Sequence, residues 1–226
     1  MAQNTYYDLP NGWAATHPDA SVNGAWMFNF TTGSILAADT PGGAFALTGT
    51  AAESDIMEIL GPRIYEVDAG YPIVFEGEVQ VQTDASAAAA VFFGFTDRRD
   101  ASEEPAIEDE DGTLESDATD AVGFMLEAEQ DATWQAVSVA NGTDGAQTVL
   151  SDAADYAVGT WQKLKVVIGN DGDTSFYIDD KLLSHTRSAA VTTSVRLAPV
   201  VTLDERNAAV TVWVRNLRVY GPGAES

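Results

Sequence analysis

Residues 159–183, GTWQKLKVVIGNDGDTSFYIDDKLL, constrain this chain more than any other stretch, because strand, reversal and second strand are all written in their residue types. Leu164, Val166 and Ile168 share one side with Gln162, while Lys163 and Lys165 share the other. That period of two is a half-buried strand. In Asn170-Asp171-Gly172-Asp173 the Asp-Gly step supplies the positive φ of a tight antiparallel reversal. Phe176 and Ile178 then alternate with Tyr177 and Asp179, and Asp179-Asp180-Lys181 predicts a second reversal.

The same alternation recurs along the chain. Ile73, Phe75, Val79 and Val81 share a face with Gly77, and Glu76, Glu78, Gln80 and Gln82 share the opposite one, so this strand has a core side and a wet side. Residues 87–95 are apolar on both sides, which predicts a central strand whose outer face is covered or lines a groove, with Gly94 admitting a close neighbour. Val122, Phe124 and Leu126 form a further inner face, and residues 133–140 pair with 146–150 across the loop Asn141-Gly142-Thr143-Asp144-Gly145. Pro199 marks the strand around 195–203 as an edge or a bulge. In the last run Val210, Val212 and Val214 share one parity but Leu217 and Val219 share the other, so a β-bulge near Arg215-Asn216 is predicted. Residues 25–30 and 43–48 read as short strands, and residues 54–60 as a short helix. The whole is an all-β antiparallel sandwich. It occupies residues 23–226 as one domain, preceded by an extension or arm over residues 1–22 that carries Tyr6, Tyr7 and Trp13. That segment either packs on its own domain or docks on a neighbour.

Hydrophobic residues make up 45% of the 226, enough for a full core, and with no Cys the chain is held by packing alone. Neither a leader of the secretory type nor a membrane-length apolar run is read. The net charge of −24 argues against a nucleic-acid backbone as partner. The charge is also uneven: residues 1–160 carry −25, and residues 161–226 carry +1. Residues 97–120 hold 11 acidic side chains and read as a long solvated loop. Asp97, Asp100, Glu103 and Glu104 suit calcium chemically, which makes calcium a possible helper, but the ligand ladder of an EF-hand is missing.

Over roughly residues 73–221, the order of a strand GFMLEAE, a Trp-bearing strand, a hairpin, then G-T-W-Q-K-L-K-V-V-I, N-D-G, F-Y-I-D-D-K and V-T-V-W-V-R-N-L-R-V-Y resembles the concanavalin A-like lectin/glucanase jelly roll in its laminin-G-like form. Gly159, Trp161, Leu164, Tyr177, Ile178 and Asp179 carry the likeness, with Asp180 where Gly is commoner. The resemblance implies a two-sheet antiparallel jelly-roll sandwich whose functions range from lectins and glycosidases to virion proteins. A cysteine-free, acidic jelly roll is also similar to head decoration proteins of tailed bacteriophages.

A glycosidase of this type needs two carboxylates across a sugar bond, and neither Glu66-Val67-Asp68 nor Glu76-Gly77-Glu78 completes the related glucanase pattern. His17 and His185 read as surface residues, and no nucleophile motif, phosphate loop or zinc spacing is present. Trp26, Trp134, Trp161 and Trp213 suit either core packing or stacking on sugars. The expectation is therefore a non-enzymatic virion protein on the capsid surface, made in the host cytoplasm. It would bind a major capsid protein, in part through Tyr6, Tyr7 and Trp13, with homo-oligomers possible. The alternative is a lectin-like module that binds glycans through a concave sheet face or loop ends.

Overall fold

The computed structural model describes residues 7–8, 26–30, 33–38, 40, 43–50, 55–67, 70–82, 89–98, 105–110, 113–127, 133–145, 148–149, 156–205 and 209–221. In chain order the first strands are β1 (Tyr7–Asp8), β2 (Met27–Phe30), β3 (Ser34–Ala38), β4 (Ala44–Thr48), β5 (Asp55–Leu60), β6 (Tyr65–Glu66) and β7 (Ile73–Val81). They are followed by β8 (Ala89–Thr96), β9 (Glu108–Glu110), β10 (Thr113–Glu115), β11 (Ala121–Glu127), β12 (Gln135–Ala140), β13 (Thr143–Asp144) and β14 (Thr148–Val149). The last are β15 (Gln162–Ile168), β16 (Thr174–Ile178), β17 (Lys181–Arg187), β18 (Arg196–Glu205) and β19 (Thr211–Tyr220). Among the described residues no helix is long and apolar enough to cross a membrane.

Two antiparallel sheets pack face to face. One has the order β17-β16-β15-β7-β19-β4-β3, with β1 also on β19. The other has the order β13-β12-β11-β8-β18-β5-β2, with β14 on β12 and β6 on β18. Their inner faces meet in one core, where Phe75 of β7 lies flat on Phe93 of β8 at 4.2 Å between ring centroids and 2° between planes. Offset stacking of this kind adds to the apolar burial of both rings. At the sheet edge, Arg187 of β17 reaches across to β12, donating from Nη1 to Ser138 Oγ (2.6 Å) and from Nη2 to the Ala136 carbonyl (3.0 Å). Its partial burial lowers the guanidinium pKa through desolvation.

The hairpin over residues 159–183 has the predicted form. Gly172 takes φ 83° in the first turn, and Asp179 and Asp180 take φ 50° and 64° in the second. Two successive positive φ values match the twist of a two-residue hairpin. Asn141 and Gly142, at φ 51° and 67°, make another such turn between β12 and β13.

The bulge predicted from the parity change also exists. The register of β19 on β7 shifts between Arg215 and Arg218, and Asn216 adopts φ 54°. Both Val214 and Leu217 are thereby buried. Gly77 makes the arrangement possible, because a Cβ there would stand 2.5 Å from Leu217 Cδ2 and 3.1 Å from the Phe93 ring. Gly77→Ala is expected to cost about 1–3 kcal/mol by overpacking, read as a lower urea midpoint. An unchanged midpoint would mean Leu217 does not fill this space.

Three expectations are corrected. Residues 55–60 form β5, not a helix; the strand is buried on both sides, so Ile56, Met57, Ile59 and Leu60 show no strand alternation in sequence. Pro199 lies in a central strand, between β8 and the pair β5 and β6. Its carbonyl accepts from Gly61 N (2.8 Å), and the missing N–H of the same residue would point the same way. On that side β18 changes partner from β6 at Leu197 to β5 at Val200, so no ladder bond is lost. Finally, the acidic stretch 97–120 is not simply solvated: its described part contains the β9–β10 hairpin and buries Ala106, Ile107 and Ala118.

Candidate functional site

The two outer faces of the sandwich differ in kind. On the nine-stranded sheet, β5, β8, β11 and β18 are buried on both sides. Ala106, Ile107 and Ala118, with half-buried Leu114, pack on Leu60, Phe92, Val137, Val139, Ala198 and Val200 in a second apolar cluster. Gly94 and Gly123 are opposite each other, and a Cβ on either would approach the Phe92 ring to 2.9 Å, so the glycines give this ring its seat. The described residues 105–110 and 113–120 thus form a cap. Asp97 Oδ1 accepts from the backbone N–H groups of Thr119 (3.0 Å) and Asp120 (3.1 Å), and Asp120 Oδ1 accepts from that of Thr192 (2.6 Å).

Polar side chains lie on this same capped face. Gln135, Met125, Phe92, Thr202 and Glu58 stand in one register row, and Glu127, Ala90, Asp204 and Ile56 in the next. Glu58 is 1% exposed. Arg98 Nη1 approaches its Oε2 to 3.9 Å while Arg98 Nε lies 3.9 Å from Asp117 of the cap. Burial pushes the Glu58 carboxyl up to about 7, against the opposing pull of Arg98 and the Thr202 hydroxyl. Glu127 and Asp204 are buried on this face as well.

The outer face of the eight-stranded sheet is open. Gln80 of β7 pairs with Trp213 of β19, Trp213 with Ala46 of β4, and Ala46 with Leu36 of β3. Trp161, one residue before β15, extends the row, with its ring 6.5 Å from that of Trp213. Gln80 is held between the indoles by donating from Nε2 to the Gly159 carbonyl. Both indoles are half-buried and Leu36 is 53% exposed.

The flanking row is Lys163, Glu78 and Arg215. Arg215 sits 4.0 Å over the Trp161 ring and is fixed there by Glu78, whose Oε2 accepts from Nε at 2.6 Å. Asn216, turned outward by the bulge, donates to Glu78 Oε1 (3.0 Å). These groups border a cleft of about 190 Å³ lined by Glu76, Gly77, Glu78, Lys163, Asn216 and Arg218. An indole surface beside fixed carboxylate, amide and ammonium groups can take a molecule with one apolar face and polar edges.

The structure divides the four tryptophans named above. Trp26 is core, and Trp134 is buried with its Nε1–H donating to Gln162 Oε1 (2.9 Å). Trp161 and Trp213 alone of the four share the open face. Glu76 and Glu78 are on it too, held by Tyr220 Oη (3.0 Å to Glu76) and by Arg215. Glu66 instead pairs with Arg196 (3.6 Å). Tyr7 belongs to β1, which pairs with Val219 and Arg218 of β19. Its side chain, together with Tyr6, Trp13, His17, Asp68, Asp100, Glu103, Glu104 and the His185 side chain, lies outside the described residues. Among the described residues no group of three or more His, Cys, Asp and Glu could hold a metal ion. Sequence reasoning missed Glu58, Thr202 and Asp204, whose signal was a polar residue inside an apolar run in DIMEIL and VVTLDE.

No family model matches this chain, and no curated protein sequence does. Solved structures do. A Bacillus licheniformis β-glucanase superposes with a TM-score of 0.60 and 14% identity, over 96% of this chain and 97% of that one. The fold is the concanavalin A-like jelly roll. The carbohydrate recognition domain of Emp46p in its metal-free form gives a TM-score of 0.60 and 9% identity over 97% of both chains. A sialidase gives a TM-score of 0.56 and 10% identity over 87% of this chain, which spans only 17% of the sialidase. The jelly-roll half of the resemblance read over roughly residues 73–221 is thus shown, and its phage half has no support among these neighbours.

Proposed function

We propose that this chain is a non-catalytic carbohydrate-binding module of the concanavalin A-like fold that uses the open face of its eight-stranded sheet. The observation that carries this is the row of Trp161, Gln80 and Trp213, bordered by the Glu78–Arg215 pair and the cleft beside it. Indoles on a wet sheet face are not needed for the core, whereas a sugar ring offers C–H groups to stack on them and hydroxyls for the polar border. The recognition-domain neighbour, named for carbohydrate, is in keeping with this reading. On the capped side, the Glu58, Asp204 and Glu127 carboxylates are buried, which disfavours a hydrolytic groove there.

The decoration-protein reading rests on the likeness of a cysteine-free, acidic jelly roll to phage head proteins, with residues 6, 7 and 13 as candidate contacts, and it has less to recommend it than the glycan reading. A glycan array with the intact chain, followed by titration calorimetry on the best saccharide, tests the choice. Trp213→Ala is expected to weaken binding about tenfold or more, equivalent to roughly 1.4 kcal/mol, while Trp213→Phe retains most of it. Absence of binding across the array would sink the proposal. Saccharide hydrolysis abolished by Glu78→Gln would replace it with an enzyme.

A further inference from the structure

We infer that Arg215 gates the open-face site: its guanidinium, held by Glu78, lies on a face of Trp161 where a sugar ring would stack, so binding has to displace it. The inference rests on the carbohydrate reading and adds how that site is regulated. Arg215 is on the wet side of β19 with Thr211 and Trp213, and β7 separates β19 from β15. To reach Trp161, one residue before β15, the side chain passes over the outer surface of β7 and ends 4.0 Å from the ring centroid. A guanidinium and a sugar ring need the same π surface at van der Waals distance, so one excludes the other there.

Bulge and ion pair together fix this cover. Arg215 stands opposite Glu78 in the β19–β7 register, and Glu78 Oε2 accepts from its Nε (2.6 Å) with Nη2 also at 2.6 Å. The other carboxylate oxygen accepts from the side-chain amide of Asn216 (3.0 Å), which the bulge turns outward at φ 54°. With both oxygens engaged by fixed donors, Glu78 holds the guanidinium in one place. The two side chains are accordingly only 23% and 25% exposed, although they stand on the wet face.

The core does not call for this arrangement, since Val212, Val214, Leu217 and Val219 are buried on the opposite side of β19. Its effect is on the indole, whose apolar surface the arginine stem and head keep from water. Trp213 meets no such cation among the described residues. The two indoles of the row are thus unequal, one carrying a guanidinium and the other not. A cation over a partly exposed indole is worth only a few-fold in a binding constant, weak enough to give way to a stacked sugar.

Acrylamide quenching of tryptophan fluorescence in the intact chain tests the cover, and titration calorimetry with the best saccharide of the array tests the gate. Arg215→Ala is expected to raise quenching, and the gain should vanish when Trp161→Phe is added, which assigns it to that ring. Glu78→Gln, which keeps Arg215 but removes the charge that holds it, should give a smaller gain. The same saccharide is expected to bind Arg215→Ala about threefold tighter than wild type, a direction that damage to the fold would not produce. Unchanged quenching in Arg215→Ala, a gain that survives Trp161→Phe, or weaker saccharide binding by Arg215→Ala would overturn the gate while leaving the carbohydrate reading in place. If the wild-type chain bound no saccharide on the array, that reading would fall and this inference with it.

Discussion

Phe93→Ala is expected to remove about 3–5 kcal/mol of stability, the largest single loss predicted for this chain. Phe93 is fully buried, lies flat on Phe75 and touches the space left by Gly77, so its ring ties β8 of one sheet to β7 of the other. Phe75 also meets Phe95 edge-on at 5.7 Å and Trp26 at 6.1 Å, so truncation leaves a hole among large rings that cannot all move in. Domains of this kind are stable by about 5–15 kcal/mol, and the variant should lose a large share of that. Urea unfolding should show a lower midpoint with an unchanged slope. A loss under about 1 kcal/mol would mean that the cavity closes and the stack is not what joins the sheets.

Glu58→Gln is expected to stabilise the protein above neutral pH, by up to roughly 3 kcal/mol. Its carboxyl rises from 4.5 to about 7 on folding because burial disfavours the charged form, and each pH unit of such a shift is worth about 1.4 kcal/mol. The sign follows from proton linkage. Below about 4.5 the group is neutral in both states and its contribution is intact. Between 4.5 and 7 the unfolded chain ionises while the folded one stays protonated, so stability falls as pH rises; above 7 the loss is complete. Glutamine stays neutral throughout and retains an acceptor for Arg98 and Thr202. Denaturation at pH 5 and pH 8 should show wild type losing stability relative to Glu58→Gln over this window. Parallel pH profiles for the two proteins would show that Glu58 is not desolvated beneath the cap.

Much of the fold was legible because it depends on local chemistry. Alternation in residues 73–81 and 162–168 placed the core faces of β7 and β15, Asp-Gly placed a turn, and the parity change from Val214 to Leu217 located the bulge. The open-face site was half legible: Trp161 and Trp213 stood out as indoles, but they were indistinguishable from Trp26 and Trp134. Register separates them. Trp213 points outward with Thr211 and Arg215, whereas Trp134 is enclosed by Phe124 and Gln162.

The sequence by itself determined the class of fold, since period-two patterning and turn residues act within a few positions of one another. Tertiary structure alone decided the rest. Which face of a doubly apolar strand is covered, and by what, depends on residues far apart in the chain: Ile107 and Leu114 reach Phe92, and Arg98 reaches Glu58. An acidic composition therefore concealed a cap, because a few apolar residues among 11 carboxylates suffice once a sheet supplies the opposite surface. The row from Trp161 to Leu36 likewise exists only through strand pairing. Residues 36, 46, 80, 161 and 213 become neighbours when β3, β4, β19, β7 and β15 align, and no local pattern records that order.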